Sequence, residues 1–341
     1  MPPPPDLSSH RLPAETSLRI FQSEILPAEF LNLPRRGSSE PPLAILAVGQ
    51  TGAGKTRLSP AILSAVRLAR GGGGGGSAAH LIADTYKTYH PEYARLMLSA
   101  PHLASAATGP DARKWLAMAA REVTGRAIDV LVESACRHPE DFEDLVRIFS
   151  SGGYRVEVVL LAVPAPLSRL GILVRYYEKL PGELPGGQSR NLPVRLTPER
   201  VHDDSYRGLL DAARFLDVSA LADQVLVVRR GNLVAYGVVK GEGEGTGMGG
   251  IAEALTRERE RPLTRDEVKT AMNDIQRLGT HEDAREQVDL VRDLLRPLIV
   301  EDDGKHAQGQ KGTWPELKPL TFGKVGEEAG GAYNILRLGQ V

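Results

Sequence analysis

The stretch that most constrains this fold is an apolar run followed by a glycine-rich loop. The six residues from Leu43 to Val48 are all apolar and partly β-branched, which is typical of a buried parallel strand. The next residues match the pattern G-x-x-x-x-G-K-[ST] at every fixed position. They are Gly49, Gln50, Thr51, Gly52, Ala53, Gly54, Lys55 and Thr56. We therefore predict a strand, a phosphate-binding loop and a helix that runs to about Arg70.

The residue types in this loop suit a nucleoside triphosphate bound together with a magnesium ion. Glycines allow the backbone to turn its N–H groups toward an anion, and the following helix offers the positive end of its dipole. Lys55 is expected to reach the β- and γ-phosphates, and the Thr56 hydroxyl to bind Mg²⁺. ATP and Mg²⁺ are thus the predicted cofactors.

Composition indicates an ordinary globular protein. The chain has 341 residues, 41% of them hydrophobic and 25% charged, with a net charge of −1, so nucleic acid and membrane are not expected partners. Cys136 is the only cysteine, which excludes an internal disulfide and fits a reducing compartment. No signal peptide and no membrane-spanning apolar run is recognisable. We expect a cytoplasmic protein.

Strands and helices alternate along the chain. A short helix marked by Leu18, Phe21 and Ile25 is expected to end before Pro27 and to pack on the core. Further strands are predicted at 79–83, 128–132 and 156–163, and helices at about 111–124, 142–149 and 167–180. The alternation predicts an α/β fold with a parallel sheet flanked by helices. Two more strands, at 225–228 and 233–236, are expected to form a hairpin.

Four regions follow from these patterns. Residues 1–14 are proline-rich and expected to be disordered, 15–240 form the nucleotide-binding domain, 241–301 a helical C-terminal extension, and 302–341 a weakly ordered tail. The run of glycines from Gly71 to Gly76 is interpreted as a flexible surface insertion. Thr264 and Glu267 form a capping box that starts one helix of the extension, and another helix is predicted at 281–298.

Polar residues follow the predicted strands at the edge where α/β proteins bind ligands. Asp84 ends the second strand and is either a proton acceptor in catalysis or a helix N-cap. Glu133 ends the third strand, where an acid that holds Mg²⁺ often lies. Arg175 and Arg195 are candidates for neutralising a transferring phosphoryl group, with ordinary surface arginines as the alternative.

Taken together, these residues resemble the zeta toxin family of bacterial toxin–antitoxin systems, across roughly residues 18–216. The resemblance rests on the phosphate-binding loop and on a series of later motifs in the family's order. These motifs are Asp84-Thr85-Tyr86 with His90-Pro91, Val132-Glu133 with Arg137, Ala162-Val163-Pro164, Leu170-Gly171 with Arg175-Tyr176, and Arg195-Leu196-Thr197-Pro198 with His202-Asp203.

The resemblance implies a P-loop kinase-like fold and a kinase that phosphorylates the 3′-hydroxyl of the amino sugar in UDP-N-acetylglucosamine. It implies that Asp84 is the general base, and that Lys55 and Thr56 bind ATP and Mg²⁺. It also implies a small helical antitoxin protein that blocks the ATP site.

The same resemblance assigns the remaining site residues. Glu133 and Arg137 would line the sugar-nucleotide site, and Arg175 and Arg195 would clamp the γ-phosphate. The residues 134–136 are bulkier than the family pattern, so a kinase with another acceptor, such as an antibiotic or a nucleoside, is one alternative. The other is a nucleotide-regulated protein whose 241–341 region binds partners.

Overall fold

A mixed β-sheet forms the centre of the fold. The computed structural model describes residues 6–33, 41–70, 78–178, 196–241, 249–300 and 314–322. Its strands are β1 (Leu43–Val48), β2 (Ala79–Ile82), β3 (Val130–Ser134), β4 (Arg155–Leu161), β5 (Gln224–Arg229), β6 (Leu233–Val239) and β7 (Lys318–Pro319). Arg195, the glycine run at 71–76 and most of the predicted tail lie outside the described residues.

The sheet order is β2-β3-β1-β4-β5-β6-β7, and the first five strands of this order are parallel. The predicted parallel sheet is therefore confirmed for this part. The remaining strands, β6 and β7, pair antiparallel at one edge of the sheet. The cause lies between β5 and β6, where Gly231 and Asn232 both adopt positive φ, at 77° and 57°. Such a connection is far too short for a parallel crossover and instead makes the hairpin that the sequence predicted.

Helices cover both faces of the sheet. They are α1 (Ala14–Ile20), α2 (Leu26–Phe30), α3 (Lys55–Arg70), α4 (Ala83–Lys87), α5 (Tyr93–Ser99), α6 (Pro101–Arg126), α7 (Pro139–Ser151), α8 (Ala165–Tyr177), α9 (Glu199–Ser219), α10 (Ile251–Glu260), α11 (Arg265–Leu278) and α12 (Arg285–Leu295). A π-helical segment, Phe21–Ile25, joins α1 to α2. Single 3₁₀ turns lie at Ser8–His10, Glu282–Ala284 and Arg296–Leu298.

Two predicted helix boundaries are wrong, and both errors involve proline. The first helix does not stop before Pro27, because the π-helical segment Phe21–Ile25 runs directly into α2, and its widened turn precedes the proline, which cannot donate a backbone hydrogen bond. Helix α6 begins at Pro101 and continues through Gly109 and Pro110 instead of starting near 111. Burial of one long face of α6, including the fully buried Trp115, outweighs the local cost of Pro110.

Side chains of β1 divide between two cores. Ala44, Leu46 and Val48 face a core that also contains Trp115, as expected from the two-residue period of a strand. Leu43, Ile45 and Ala47 face the opposite core, built with α3 and α8. Helix α10 packs into the first core and helices α11 and α12 into the second. The loop after β1 is thereby held between two packed layers.

Candidate active site

The loop between β1 and α3 has the conformation that its sequence predicts. The Gly49 N–H donates to the Ser134 carbonyl at 3.1 Å, and the Ala53 N–H donates to the Gln50 carbonyl at 3.1 Å, which closes a turn. Gly52 and Gly54 adopt positive φ, at 81° and 103°, which other residues rarely do. A Cβ on Gly54 would meet nothing within 4 Å, so the loop is open on that side.

Helix α8 lies directly against this loop. A Cβ on Gly52 would come within 2.0 Å of the Ser168 carbonyl oxygen, and a Cβ on Gly171 within 2.6 Å of the Gly52 carbonyl oxygen. Only glycine at both positions permits this approach of two backbones. The Leu170-Gly171 motif is therefore explained by contact with the loop, and Arg175 lies one helical turn beyond it.

Two side chains fix the loop on its buried side, one from the loop itself and one from beyond β5. The Gln50 Nε2 donates to the Val163 carbonyl at 2.7 Å and is fully buried. Arg230, which follows β5, donates through Nη2 to the carbonyls of Gly52 and Leu167, both at 2.8 Å. Gln50 and Ala53 thus have side chains that face the protein interior, so only their backbone groups can face a ligand.

Lys55 is half-buried at the start of α3 and donates from Nζ to the Gly49 carbonyl at 2.5 Å and to the Gln50 carbonyl at 3.3 Å. Burial lowers the pKa of Lys55, while the charges of Glu133 and Asp84 raise it and that of Arg175 lowers it further. The two carboxylates and the guanidinium are therefore near enough to Lys55 for their charges to act on it. Thr56 is exposed beside it.

Glu133 is nearly buried, with 6% of its surface exposed. Its Oε1 accepts hydrogen bonds from Ser59 Oγ at 2.6 Å and from His80 Nε2 at 3.0 Å. Burial by itself raises the pKa of Glu133, but these two hydrogen bonds and the charge of Lys55 lower it by more, so the net pKa is below the ordinary value. Glu133 is therefore an ionised carboxylate held in one orientation below the loop.

Asp84 lies inside the first turn of α4, and the N-cap of that helix is Ile82. The N-cap interpretation of Asp84 is therefore wrong. Its side chain is 63% exposed, and one carboxylate oxygen lies 2.5 Å from the Lys87 Nζ. Lys87 also donates to Ser105 Oγ at 2.6 Å, which anchors it to α6. Asp84 is a solvent-facing carboxylate with an adjacent fixed positive charge.

The two remaining described candidates differ in their pairing. Arg175 is in the last turn of α8 and makes no hydrogen bond or ion pair with residues in the described part of the chain. Arg137 lies with its Nε 3.6 Å from the Asp204 Oδ2 of α9. The structure thus gathers Lys55, Asp84, Glu133 and Arg175 at the loop. It places Arg137 nearer α9. The catalytic and binding roles of these five residues stay predictions.

The turn after β3 brings α9 close to this edge of the sheet. Cys136 adopts φ of 50°, and its N–H donates to Ser134 Oγ at 3.2 Å. A Cβ on Gly208 would lie 2.0 Å from the Cys136 carbonyl oxygen, so the turn and α9 touch through backbone. Burial raises the pKa of the Cys136 thiol to about 12, which leaves it protonated and unreactive.

Sequence reasoning missed the residues that support the site. Ser59 and His80 bind Glu133, Lys87 binds Asp84, and Arg230 binds the loop. Ser59 alone had a usable signal, since it lies four residues after Lys55 on one face of a helix that starts at the loop. The others depend on contacts between distant parts of the chain.

The sheet, the loop and the charged residues around it define a kinase-like P-loop α/β protein. A family model described as Zeta toxin matches residues 32–239. The chain therefore belongs to the zeta toxin family. None of the helices in the described ranges is long and apolar enough to cross a membrane.

Characterised relatives agree with this membership. The chain is 25% identical over 202 residues to Toxin PezT of Streptococcus pneumoniae, covering 58% of this chain and 73% of that protein. It is also 25% identical over 248 residues to Toxin zeta of Enterococcus hirae, covering 70% of this chain and 76% of that protein. A solved structure from the PezAT chromosomal toxin–antitoxin system of S. pneumoniae superposes with a TM-score of 0.59 at 20% identity, over 80% of this chain and 98% of the other.

Proposed function

We propose that this protein is an ATP-dependent phosphotransferase that moves the γ-phosphoryl group of ATP to the 3′-hydroxyl of UDP-N-acetylglucosamine or a related sugar nucleotide. The observation that supports it most is the gathering of Lys55, Asp84 and Arg175 around a complete phosphate-binding loop. Membership of the zeta toxin family supports the acceptor. The chain's own side chains support the transfer step.

The loop fits a nucleoside triphosphate. It is open on the side of Gly54, its glycines have positive φ, and the N-terminus of α3 adds a favourable dipole. Lys55 is proposed to exchange its loop carbonyls for phosphate oxygens of ATP. Mg²⁺ would neutralise part of the phosphate charge, and the exposed Thr56 hydroxyl is the group proposed to hold it.

In the transfer itself, Asp84 is proposed to accept the proton of the acceptor hydroxyl as that oxygen bonds to the γ-phosphorus. The bond from the γ-phosphorus to the bridging oxygen then breaks, and ADP leaves. The Lys87 ammonium beside Asp84 favours the ionised carboxylate that this step requires. Arg175 has no ion-pair partner among the described residues, so its charge is available for the transferring group.

The acceptor site is proposed to lie on the side of β3 and α9. Glu133 is fixed by Ser59 and His80 and offers its carboxylate to an acceptor hydroxyl. Among the described residues, the ion-pair partner of Arg137 is Asp204, at 3.6 Å, and Arg137 is proposed to exchange that contact for an anionic group of a sugar nucleotide. Arg195, outside the described residues, is proposed as a second γ-phosphate clamp.

A partner protein and a compartment belong to this proposal. PezT is named as part of a toxin–antitoxin system, and we propose that this chain is likewise bound by a small helical antitoxin that covers the ATP site. The cytoplasm, where ATP and sugar nucleotides occur, is the proposed location.

The test is ATP consumption by the purified protein with Mg²⁺, with and without UDP-N-acetylglucosamine, followed by mass analysis of the sugar nucleotide. We expect a gain of one phosphate that is lost in both Lys55→Ala and Asp84→Asn. Only Asp84→Asn should keep ATP affinity, because Asp84 contributes to the proton transfer and not to the phosphate-binding loop.

The matched control is Asp293→Asn. Asp293 is 65% exposed and pairs with Arg296 three residues later at 2.8 Å, as Asp84 pairs with Lys87. It should leave turnover unchanged. The protein could instead bind ATP while no sugar nucleotide, nucleoside or antibiotic acceptor stimulates turnover. That result would refute the proposed kinase activity and favour a nucleotide-regulated binding protein.

A further inference from the structure

A buried chain of polar groups connects helix α9 to the phosphate-binding loop. The Gln50 Nε2 lies 3.1 Å from Ser168 Oγ, and Ser168 Oγ lies 2.8 Å from His202 Nε2. His202 Nδ1 lies 2.8 Å from Asp203 Oδ1, which also accepts from Arg169 at 2.9 Å. Gln50, Ser168 and His202 are fully buried, so water does not compete for these hydrogen bonds.

The protons on this chain can be assigned. Burial lowers the pKa of His202, so its imidazole is neutral near pH 7. Burial alone would raise the pKa of Asp203, but hydrogen bonds from His202 and Arg169 lower it, so the carboxylate is ionised. The His202 Nδ1–H therefore donates to Asp203, and Nε2 must accept the Ser168 hydroxyl proton. The Ser168 oxygen in turn accepts from Gln50.

The order serine, histidine, aspartate does not make a hydrolytic centre here. Ser168 has no exposed surface and its oxygen is already within 3.3 Å of Gln50, Pro164, Ala165 and His202. A nucleophile needs access to a substrate carbon. We therefore expect the effect of this hydrogen-bonded chain at its other end, on the position of Gln50.

The position of the Gln50 side chain depends on the hydrogen bonds that its amide donates. Its side-chain Oε1 is buried and has no hydrogen-bond partner among the described residues, so within that part of the chain the amide is fixed by two donated bonds, to Val163 and to Ser168. The carbonyl of the same residue accepts from the Ala53 N–H and from Lys55 Nζ. A shift of Gln50 would therefore change both the turn of the loop and the position of its lysine.

We propose that His202 is a positioning residue that fixes the phosphate-binding loop through Ser168 and Gln50. Asp203 sets the imidazole tautomer. The imidazole accepts the Ser168 hydroxyl proton, which leaves the Ser168 oxygen free to accept a hydrogen bond from the Gln50 amide. The effect on the loop stands by itself. The effect on ATP rests on the proposed function.

The first experiment measures backbone amide hydrogen exchange in the nucleotide-free protein, for wild type, Ser168→Ala, His202→Gln and Asp203→Asn. We expect the Ala53 amide and its neighbours to exchange about tenfold faster in each variant, the size expected for losing one buried hydrogen bond. Asp203 is 40% exposed, so Asp203→Asn keeps the test available if a fully buried substitution prevents folding.

The control is Asp211→Asn on the same helix, where Asp211 is 52% exposed and pairs with Arg214 at 3.0 Å. It should leave loop exchange as in wild type. Unchanged loop exchange in Ser168→Ala and Asp203→Asn, or an equal increase in Asp211→Asn, would overturn the proposal. A merely structural role would lower the unfolding midpoint while loop exchange stayed normal.

The second experiment measures ATP binding and steady-state kinetics for the same variants. We expect the Kd and KM for ATP to rise about tenfold while kcat at saturating ATP stays near wild type, because the ligand restores the loop conformation. A tenfold fall of kcat with unchanged KM for ATP would contradict the positioning role. If wild type binds no ATP while loop exchange still responds to the variants, the proposed function fails and the positioning inference stands.

Discussion

Replacing Gly171 by alanine should damage the nucleotide site while leaving the fold intact. Gly171 is in α8, where its added Cβ would lie 2.6 Å from the Gly52 carbonyl oxygen and 2.8 Å from Arg230 Nη2. Real Cβ atoms do not approach a backbone oxygen so closely. The loop or the helix must therefore move, and either movement changes the position of Gly52 relative to α8.

Two effects of opposite sign decide the size of this change. Alanine in a helix is favoured over glycine by about 1 kcal/mol. Overpacking a close contact costs about 1–3 kcal/mol. The net loss is thus up to about 2 kcal/mol, and it arises where α8 contacts the loop that carries Gly52. If that loss lowers the population of the binding-competent loop, the Kd for ATP rises by up to about thirtyfold.

The assay is ATP titration of Gly171→Ala, with thermal unfolding measured in parallel. Gly125→Ala in α6 is the matched control, since its added Cβ would meet nothing within 4 Å. The control should bind ATP as wild type and unfold at the same or a higher temperature. Wild-type ATP affinity in Gly171→Ala together with a raised unfolding temperature would refute the close contact between α8 and the loop.

Two further substitutions test buried charges, one at the candidate site and one between β5 and α11, and an exposed arginine serves as the control. Because the pKa of Glu133 is below its ordinary value of 4.5, the stability it contributes is present above that pH and is lost as the pH falls below it, so the free energy of unfolding of wild type and Glu133→Gln should converge on acidification. Arg229→Met should lower the free energy of unfolding by about 3–5 kcal/mol, because it leaves the carboxylate of Glu267, 2.7 Å away, buried without its charge partner. The exposed Arg207→Met should cost at most about 1 kcal/mol by denaturant unfolding.

Sequence patterns were sufficient to predict features whose contacts join residues close together in the sequence. The strand from Leu43 to Val48, the loop after it and α3 follow one another directly, so their order could be predicted. The capping box of α11 is equally local, and both of its hydrogen bonds, between Thr264 and Glu267, are present. Each of these predictions depends on groups a few residues apart.

Predictions failed where distant burial decides the structure. Pro110 is a helix breaker by its own chemistry, yet α6 continues through it because Ala112, Trp115 and other side chains pack on the core. Strand β7 pairs Lys318 with Val234 and adds an antiparallel edge that no local pattern indicates. The capping interpretation of Asp84 failed because α4 begins at Ala83, immediately after β2.

In the candidate site, too, the local motif could be predicted and the long-range contacts could not. The motif identifies the loop that would bind phosphate, but the bonds that hold the loop come from far along the chain: Gln50 binds Val163, 113 residues away, and Gly52 binds Arg230, 178 residues away. Arg230 follows β5, which lies in the sheet between β4 and β6 with every residue buried. A chain cut near Asp223 would lose both the strand and this bond, so it could not separate catalysis from partner binding. The family match to residue 239 extends through β6, so it includes the hairpin and Arg230, whose side chain binds the loop.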